Sequence, residues 1–182
     1  MPMLRGLRGV IAFLTIMPTG GKGVDHKDAA NNMYLFPVVG AGLGLCVGLL
    51  ARGLLLFLPT AMIATTLTVA VLYLASGLHH FDGLIDFGDG LMLRGSPAEK
   101  IAAMRDKTTG AGGLGLGLVN TLLLVSCLGA TTAERIVPVM VVSESSAKLA
   151  MVAAAAAGRP ALDGVGAVFV RASKGRRGRA SL

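Results

Sequence analysis

The chain has 182 residues, of which 53% are hydrophobic, 15% charged and 4% aromatic, and its formal net charge is +7. Soluble domains carry about 25% charged residues, so this composition excludes an ordinary water-soluble globule, while the absence of a collagen-like period or a polar tract excludes fibrous and disordered classes. We therefore predict an integral membrane protein with an all-α fold, a polytopic helix bundle. The two cysteines, Cys46 and Cys127, lie in apolar runs and offer neither a disulfide framework nor a zinc spacing.

The first 34 residues are predicted to form a cytoplasmic or interfacial segment. Arg5 and Arg8 precede an apolar stretch at residues 10–17, as at the start of a signal peptide, but no small-residue cleavage site follows. Leu7, Val10 and Leu14 share a helical stripe with Ile11. This pattern predicts a short helix lying in the membrane interface, with a retained signal anchor as the alternative.

Four later segments are long and apolar enough to cross a bilayer, which requires about 20 residues. They are residues 35–58, 61–81, 110–133 and 136–158, followed by a basic tail at 159–182. Glycines at four-residue spacing (Gly40, Gly44 and Gly48; Gly113 and Gly117) predict close helix packing. Glu144 and Lys148 stand one turn apart in the fourth span, so we expect them to form a pair. No internal repeat is evident, and the chain is predicted to form a single domain.

The placement of the cations predicts the orientation. With the N-terminus in the cytoplasm, fourteen of the 17 lysines and arginines fall on the inner side, Arg52 and Arg135 fall outside, and Lys148 lies within a span. This bias predicts a cell-membrane protein with both ends in the cytoplasm. No aromatic residues interleave with the cations, so we expect anionic lipid rather than nucleic acid as their partner. The fourteen inner cations are Arg5, Arg8, Lys22, Lys27, Arg94, Lys100, Arg105, Lys107, Arg159, Arg171, Lys174, Arg176, Arg177 and Arg179.

Three aspartates follow the second span. At 100° per residue, Asp86 lies about 40° and Asp89 about −20° from Asp82, so one continuous helix would place all three on a narrow face. Clustered carboxylates beside a low-dielectric region repel one another unless they take up protons, pair with cations or bind a metal. Oxygen ligands of this kind favour Mg²⁺. The alternative is a solvated acidic helix end paired with Arg94, Lys100, Arg105 and Lys107.

The neighbouring polar residues are less specific. Asp106 adds a carboxylate to the same cytoplasmic loop, but its alternating neighbours Arg105 and Lys107 are also typical of a solvated strip. His79 or His80 could act at the site or simply bond the backbone, and Gly83 could break the helix. Acidic metal ligands flanked by cations suit a diphosphate substrate, which predicts phosphoryl or nucleotidyl-type transfer at the cytoplasmic surface.

Residues 80–90, HFDGLIDFGDG, resemble the His-x-Asp-Gly-Leu-x-Asp-x-x-Asp-Gly signature of the adenosylcobinamide-GDP ribazoletransferase family, the cobalamin (cobamide) synthases. Three further elements are similar to the family pattern: Phe-Leu-Thr at 13–15 with Pro18, Phe-Pro-Val-Val-Gly at 36–40, and Met-Arg-Asp at 104–106 with Gly110 and Gly113. The resemblance covers most of the chain in the same order.

This resemblance implies a Mg²⁺-dependent membrane enzyme that joins adenosylcobinamide-GDP to α-ribazole or α-ribazole 5′-phosphate and releases GMP. By position, Asp82, Asp86 and Asp89 become catalytic metal and diphosphate ligands. Asp106 becomes a fourth metal ligand that also contacts substrate, and His80 gives polar assistance. The cations expected to bind phosphate are Arg94, Lys100 and Arg105.

The chain also departs from the family pattern. Lys107 and Thr108 replace a Ser-Arg pair, and Ile16 stands where many members carry a basic residue, so we expect differences in substrate contacts. The chain has a basic tail where the family pattern leads us to expect one or two further spans, which predicts a truncated or divergent member. Two other functions stay open, a CDP-alcohol phosphotransferase of phospholipid synthesis and a membrane transporter, as do a homo-oligomer and a role of Glu144 and Lys148 toward the corrinoid.

Overall fold

The computed structural model describes residues 2–20 and 26–180, and side chains at 4–20 and 26–175. Lys22 and the side chains of Arg176, Arg177 and Arg179, counted above as inner cations, lie outside this part. The described residues form helices joined by turns and contain no strand, so the all-α prediction is confirmed. The helices are α1 (Pro2–Leu14), α2 (His26–Asn31), α3 (Phe36–Phe57, preceded by a 3₁₀ turn at Met33–Leu35), α4 (Ala61–Ala75), α5 (His79–Met92), α6 (Pro97–Ala103), α7 (Ala111–Gly129), α8 (Ile136–Ala157) and α9 (Val165–Ala180).

Three described helices, α3, α7 and α8, are each long and apolar enough to cross a membrane. The predicted span at 61–81 is divided, because α4 ends at Ala75 and the chain bends by 93° before α5 begins at His79. The 15 residues of α4 rise only about 22 Å, against a hydrocarbon core of about 30 Å. The protein is therefore a multi-pass membrane protein with three spans, or four if α4 and α5 together count as one.

Contacts divide the chain into two compact units, residues 1–50 with 135–182 and residues 51–134. The first unit has an aromatic core in which the Phe13 ring centroid lies 5.8 Å from that of Phe36 and 4.8 Å from that of Phe169. Val10 and Leu14 of α1 are completely buried against this cluster. Residues 2–14 are thus helical, as predicted, but the apolar stripe packs on the protein's own core, and the interfacial position of α1 stays a prediction.

Glycines bring α3 and α8 of the first unit into backbone contact. A Cβ atom added at Gly40 would lie 2.6 Å from the carbonyl oxygen of Glu144, and one added at Gly44 would meet that of Met140. The Ser145 hydroxyl donates a 3.0 Å hydrogen bond to the carbonyl oxygen of Pro37. Close packing at the glycines, predicted from their spacing, is confirmed at this contact.

In the second unit, α7 contacts both α4 and α5. Tyr73 of α4 places its hydroxyl 3.0 Å from the Thr121 hydroxyl of α7, and Asn120 donates a 3.2 Å hydrogen bond to the same Tyr73 oxygen. Between α4 and α5, Gly77 and Leu78 both adopt left-handed backbone, with φ of 67° and 59°. Glycine takes this conformation freely, whereas a leucine there is strained, so the turn depends on the packing around it.

Candidate functional site

The candidate site is built on α5, which carries the three aspartates in one uninterrupted helix from His79 to Met92. Gly83, considered above as a possible break, lies inside this helix, and the chain turns before it, at Gly77 and Leu78. A continuous helix places Asp82, Asp86 and Asp89 on one face. The sequence prediction of a shared acidic face is therefore confirmed.

Two of these aspartates have carboxylates that are uncommitted, that is, without a hydrogen-bond or ion-pair partner among the described residues. Asp82 is exposed and Asp86 is half-buried, and in the described part of the chain neither carboxylate makes a hydrogen bond or ion pair. Asp86 lies about one turn from both Asp82 and Asp89 on this helix, so the three like-charged groups are close enough to influence one another. Uncommitted carboxylate oxygens of this kind are able to accept a hard divalent cation.

Asp89 is held differently. Its Oδ2 accepts a 2.8 Å hydrogen bond from the backbone N–H of Gly110, and its Oδ1 accepts a 2.7 Å bond from that of Gly113. These N–H groups belong to the first turn of α7, where backbone donors have no partner within the helix. Asp89 therefore caps α7 from a neighbouring helix, a contact that no local pattern in the sequence predicted.

Glycines allow α5 and α7 to approach this closely. A Cβ atom at Gly88 would lie 2.9 Å from the Gly112 carbonyl oxygen, and one at Gly113 would lie 2.5 Å from that of Ile85. Further along, a Cβ atom at Gly117 would contact the Phe81 ring at 3.1 Å. The spacing of Gly113 and Gly117 predicted packing, and α5 is the helix against which they pack.

The loop between α6 and α7 contains Asp106, which was predicted as a fourth ligand. Asp106 is exposed, and its Oδ1 accepts hydrogen bonds from the backbone N–H and the hydroxyl of Thr108, at 3.0 and 2.9 Å. These bonds stabilise the carboxylate and lower the pKa of Asp106 below its usual value. Asp106 is thus committed to a local turn, and Thr108, noted above only as a departure from the family pattern, is its partner.

Helix α6 begins with a capping box, which was not among the sequence predictions. The Ser96 hydroxyl accepts a bond from the N–H of Glu99, while a Glu99 carboxylate oxygen accepts one from the Ser96 N–H at 2.7 Å. The Ser96 hydroxyl also donates a 2.7 Å bond to this Glu99 oxygen, and this bond together with the one from the Ser96 N–H lowers the pKa of Glu99. Ser-x-x-Glu with Pro97 at the first helical position is a recognised start signal, so this element was predictable from sequence.

The predicted phosphate-binding cations follow α5 in the chain. Arg94 and Arg105 are exposed and Lys100 is half-buried. Within the described residues, no ion pair joins these cations or Lys107 to the α5 aspartates. The pairing that belonged to the alternative of a solvated acidic helix end is therefore not found among the described residues. Of the two histidines, His79 is exposed and His80 is half-buried at the start of α5.

The described residues contain no group of three or more His, Cys, Asp or Glu side chains arranged to hold a metal ion. Mg²⁺ seldom requires such a cage, because it keeps several waters and binds through one or two carboxylates together with substrate phosphates. Asp82 and Asp86, one turn apart and without other polar partners, fit that manner of binding. Asp89 and Asp106 differ from them because their oxygens already accept N–H or hydroxyl bonds.

These features define a multi-pass all-α membrane protein with an acidic helix α5 docked on the amino-terminal end of α7. The model of the cobalamin-5-phosphate synthase family matches residues 6–181. The chain belongs to this family, which agrees with the resemblance found in residues 80–90 and the accompanying segments.

Known relatives agree with this assignment, and each of the three reported below is named adenosylcobinamide-GDP ribazoletransferase. The protein of Methanocella arvoryzae is 39% identical over 176 residues, which cover 94% of this chain and 65% of that protein. Those of Methanosarcina mazei and Methanococcoides burtonii are 32% and 30% identical, covering 86% and 92% of this chain and 60% and 65% of those proteins. The chain thus spans less than two thirds of their length. No solved structure matches it significantly.

Proposed function

We propose that the chain acts as a Mg²⁺-dependent adenosylcobinamide-GDP ribazoletransferase. The reaction would join adenosylcobinamide-GDP to α-ribazole or its 5′-phosphate and give adenosylcobalamin or its 5′-phosphate and GMP. Family membership over residues 6–181 and the names of the relatives support this activity. The observation that carries the proposal is the pair of uncommitted carboxylates, Asp82 and Asp86, on one face of α5. A CDP-alcohol phosphotransferase or a transporter has no comparable support.

In the proposed reaction, a ribazole hydroxyl oxygen forms a bond to the phosphorus attached to cobinamide. The bond from that phosphorus to the oxygen bridging toward guanosine breaks, GMP leaves with this oxygen, and the hydroxyl gives up its proton. The proton is released to solvent. His80, which the continuous helix places about 160° around α5 from Asp82, is our candidate for polar assistance only. Arg94, Lys100 and Arg105 are our candidates to bind the phosphates. Cations in these positions neutralise charge that spreads over phosphate oxygens during transfer.

Asp82 and Asp86 are the proposed magnesium ligands. When bound, Mg²⁺ supplies charge neutralisation and a template for the diphosphate. The role of these two residues is to fix the position of that charge on α5. The helix is continuous and its far end is tied to α7 through Asp89, so the carboxylates of Asp82 and Asp86 stand on a rigid support. Rigid support of reacting groups is a large part of catalysis by positioning.

We further propose that the protein lies in the inner (cytoplasmic) membrane of the cell and that this site faces the cytoplasm. The support is the bias of cations: residues 94–107, which follow α5, contain Arg94, Lys100, Arg105 and Lys107. Segments rich in lysine and arginine remain on the cytoplasmic side during insertion.

The test is to supply the purified protein with adenosylcobinamide-GDP, α-ribazole and Mg²⁺ and to detect the cobamide and GMP by mass spectrometry. We expect product from the wild type and a loss of turnover of about 100-fold in Asp82→Asn and in Asp86→Asn, since even outer partners of metal ligands cost 10–100-fold. Asp163→Asn is the matched control, because Asp163 is highly exposed and pairs with Arg171 in the other compact unit.

The outcomes separate the two parts of the proposal. Folded wild-type protein that yields no cobamide would overturn the activity, whereas normal turnover in both aspartate variants would remove the magnesium role. CDP-diacylglycerol and a polar alcohol, supplied instead of the corrinoid, should give no product.

A further inference from the structure

The carboxylate of Asp89 caps the amino-terminal end of α7, because the residue at the N-cap position of α7 has no side chain that could cap it. Gly110 stands at the N-cap position of α7 and has no side chain to accept a backbone bond. The N–H groups of Gly110 and Gly113 instead donate to the two oxygens of Asp89, at 2.8 and 2.7 Å. The intrahelical bonds of α7 begin with the N–H of Leu114, which donates to the Gly110 carbonyl, so both groups would otherwise lack an intrahelical partner.

This cap works only because the two helices touch through glycine. A Cβ atom at Gly112 would lie 2.8 Å from the Gly88 carbonyl oxygen, and one at Gly113 would lie 2.5 Å from the Ile85 carbonyl oxygen. Backbone atoms on both sides leave no flexible group that could yield. The short aspartate side chain therefore reaches across a gap set by backbone contact.

The three aspartates on one helix face thus differ in their hydrogen-bond partners. Asp89 is a carboxylate at the positive end of a helix, which stabilises an anion there, and both its oxygens accept charge-assisted hydrogen bonds. Asp82 and Asp86 make no such bonds in the described part of the chain. The difference is in their partners, because all three residues belong to the same helix.

We propose that Asp89 is a positioning residue that fixes α5 on α7, and that magnesium binding falls to Asp82 and Asp86. This inference rests on the proposed function. Asp89 acts through α7 rather than on the ion or the substrate, and it thereby holds the two free carboxylates, one and two turns earlier, at a set place on the α7 surface. The third aspartate of the signature thus has a role different from that of the other two.

The experiment compares Asp89→Asn and Asp89→Ala with Asp86→Asn in detergent, measuring the melting temperature, kcat and the Mg²⁺ concentration for half-maximal rate. The oxygen of asparagine still accepts an N–H bond, whereas alanine accepts none. We expect Asp89→Ala to lower the melting temperature by about 3–8 °C and Asp89→Asn to lower it by less than half as much. Gly115→Ala is the control, since a Cβ atom there meets nothing within 4 Å.

The kinetic results distinguish positioning from ligation. Asp89→Asn should keep its half-activating Mg²⁺ within about twofold of the wild type, while Asp86→Asn should raise it about tenfold or more. Asp89→Ala should lose kcat even with saturating Mg²⁺ and below its melting temperature, which a merely structural change would not cause. The proposal is overturned if Asp89→Asn shifts the Mg²⁺ dependence as much as Asp86→Asn does, or if Asp89→Ala melts like the wild type. A wild type without activity defeats the proposed function alone, because the melting comparison still decides the cap.

Discussion

At the scale of single residues, the buried ion pair of α8 shows how a charge is kept inside an apolar span. The Lys148 ammonium lies 3.0 Å from a Glu144 carboxylate oxygen, and the two side chains are only 6% and 12% exposed. Glutamate precedes lysine by four residues, which is the favourable order on a helix. Each charge depends on the other, because an unpaired ion in this setting is costly.

Removing one partner of this pair should lower the free energy of unfolding more than replacing both partners with apolar residues does. We expect Lys148→Met to lower the free energy of unfolding by about 3–5 kcal/mol, since it leaves a buried carboxylate without its partner. The double variant Glu144→Leu with Lys148→Met removes both charges and should lie much closer to the wild type. Denaturant unfolding in detergent checks this. Equal losses in the single and double variants would show that the pair contributes packing alone.

At the scale of helices, α3 provides a matched test of the glycine contact with α8. Gly44 is buried, and an added Cβ atom would meet the Met140 carbonyl oxygen, whereas Gly42, half a turn away, has nothing within 4 Å. Gly44→Ala should therefore destabilise the protein by about 1–3 kcal/mol through overpacking. Gly42→Ala should be neutral or stabilising by up to about 1 kcal/mol. Melting temperatures of the two variants decide, and a similar effect in both would contradict a contact specific to Gly44.

The helices that the sequence predicted well are those whose signal is local. Uninterrupted apolar runs predicted spans at 35–58, 110–133 and 136–158, and the structure has α3, α7 and α8 there. The second predicted span was divided because the bend lies at Gly77 and Leu78. Gly83 was an equally good breaker by residue type, and no rule based on propensity would select a leucine with positive φ. In the structure, α5 contacts α7, a helix distant in sequence, and local propensity cannot indicate a bend that goes with such a contact.

The same distinction applies to the candidate site. The shared face of Asp82, Asp86 and Asp89 was predictable, because it follows from helical periodicity alone. The partners of Asp89 are 21 and 24 residues away in the chain. They are backbone N–H groups of glycines, so no side chain in the sequence indicates this contact. Asp106 is an intermediate case, since its bond to Thr108 is local and aspartate commonly bonds the backbone two residues on.

At the scale of the whole molecule, the distribution of charge and the apolar helices constrain the topology together. An even number of spans between the N-terminus and the basic residues near 171 would return both to one side of the membrane. That requires α4 to count as a crossing, although it is shorter than the hydrocarbon core and is followed by the 93° bend. The bent pair is thus the element on which the predicted orientation depends.

Single-cysteine labelling tests that element directly. In a background without Cys46 and Cys127, we expect Ala98→Cys, on exposed α6, to resist a membrane-impermeant maleimide in intact cells and to react in inverted vesicles. Thr132→Cys, between α7 and α8, should show the opposite pattern, because the sole cation between these spans is Arg135 whereas the segment at 94–107 holds four. If both cysteines react from the same side, α7 does not cross the membrane. If both patterns are reversed, the acidic face of α5 is separated from the cytoplasm, which contradicts the proposed orientation of the site.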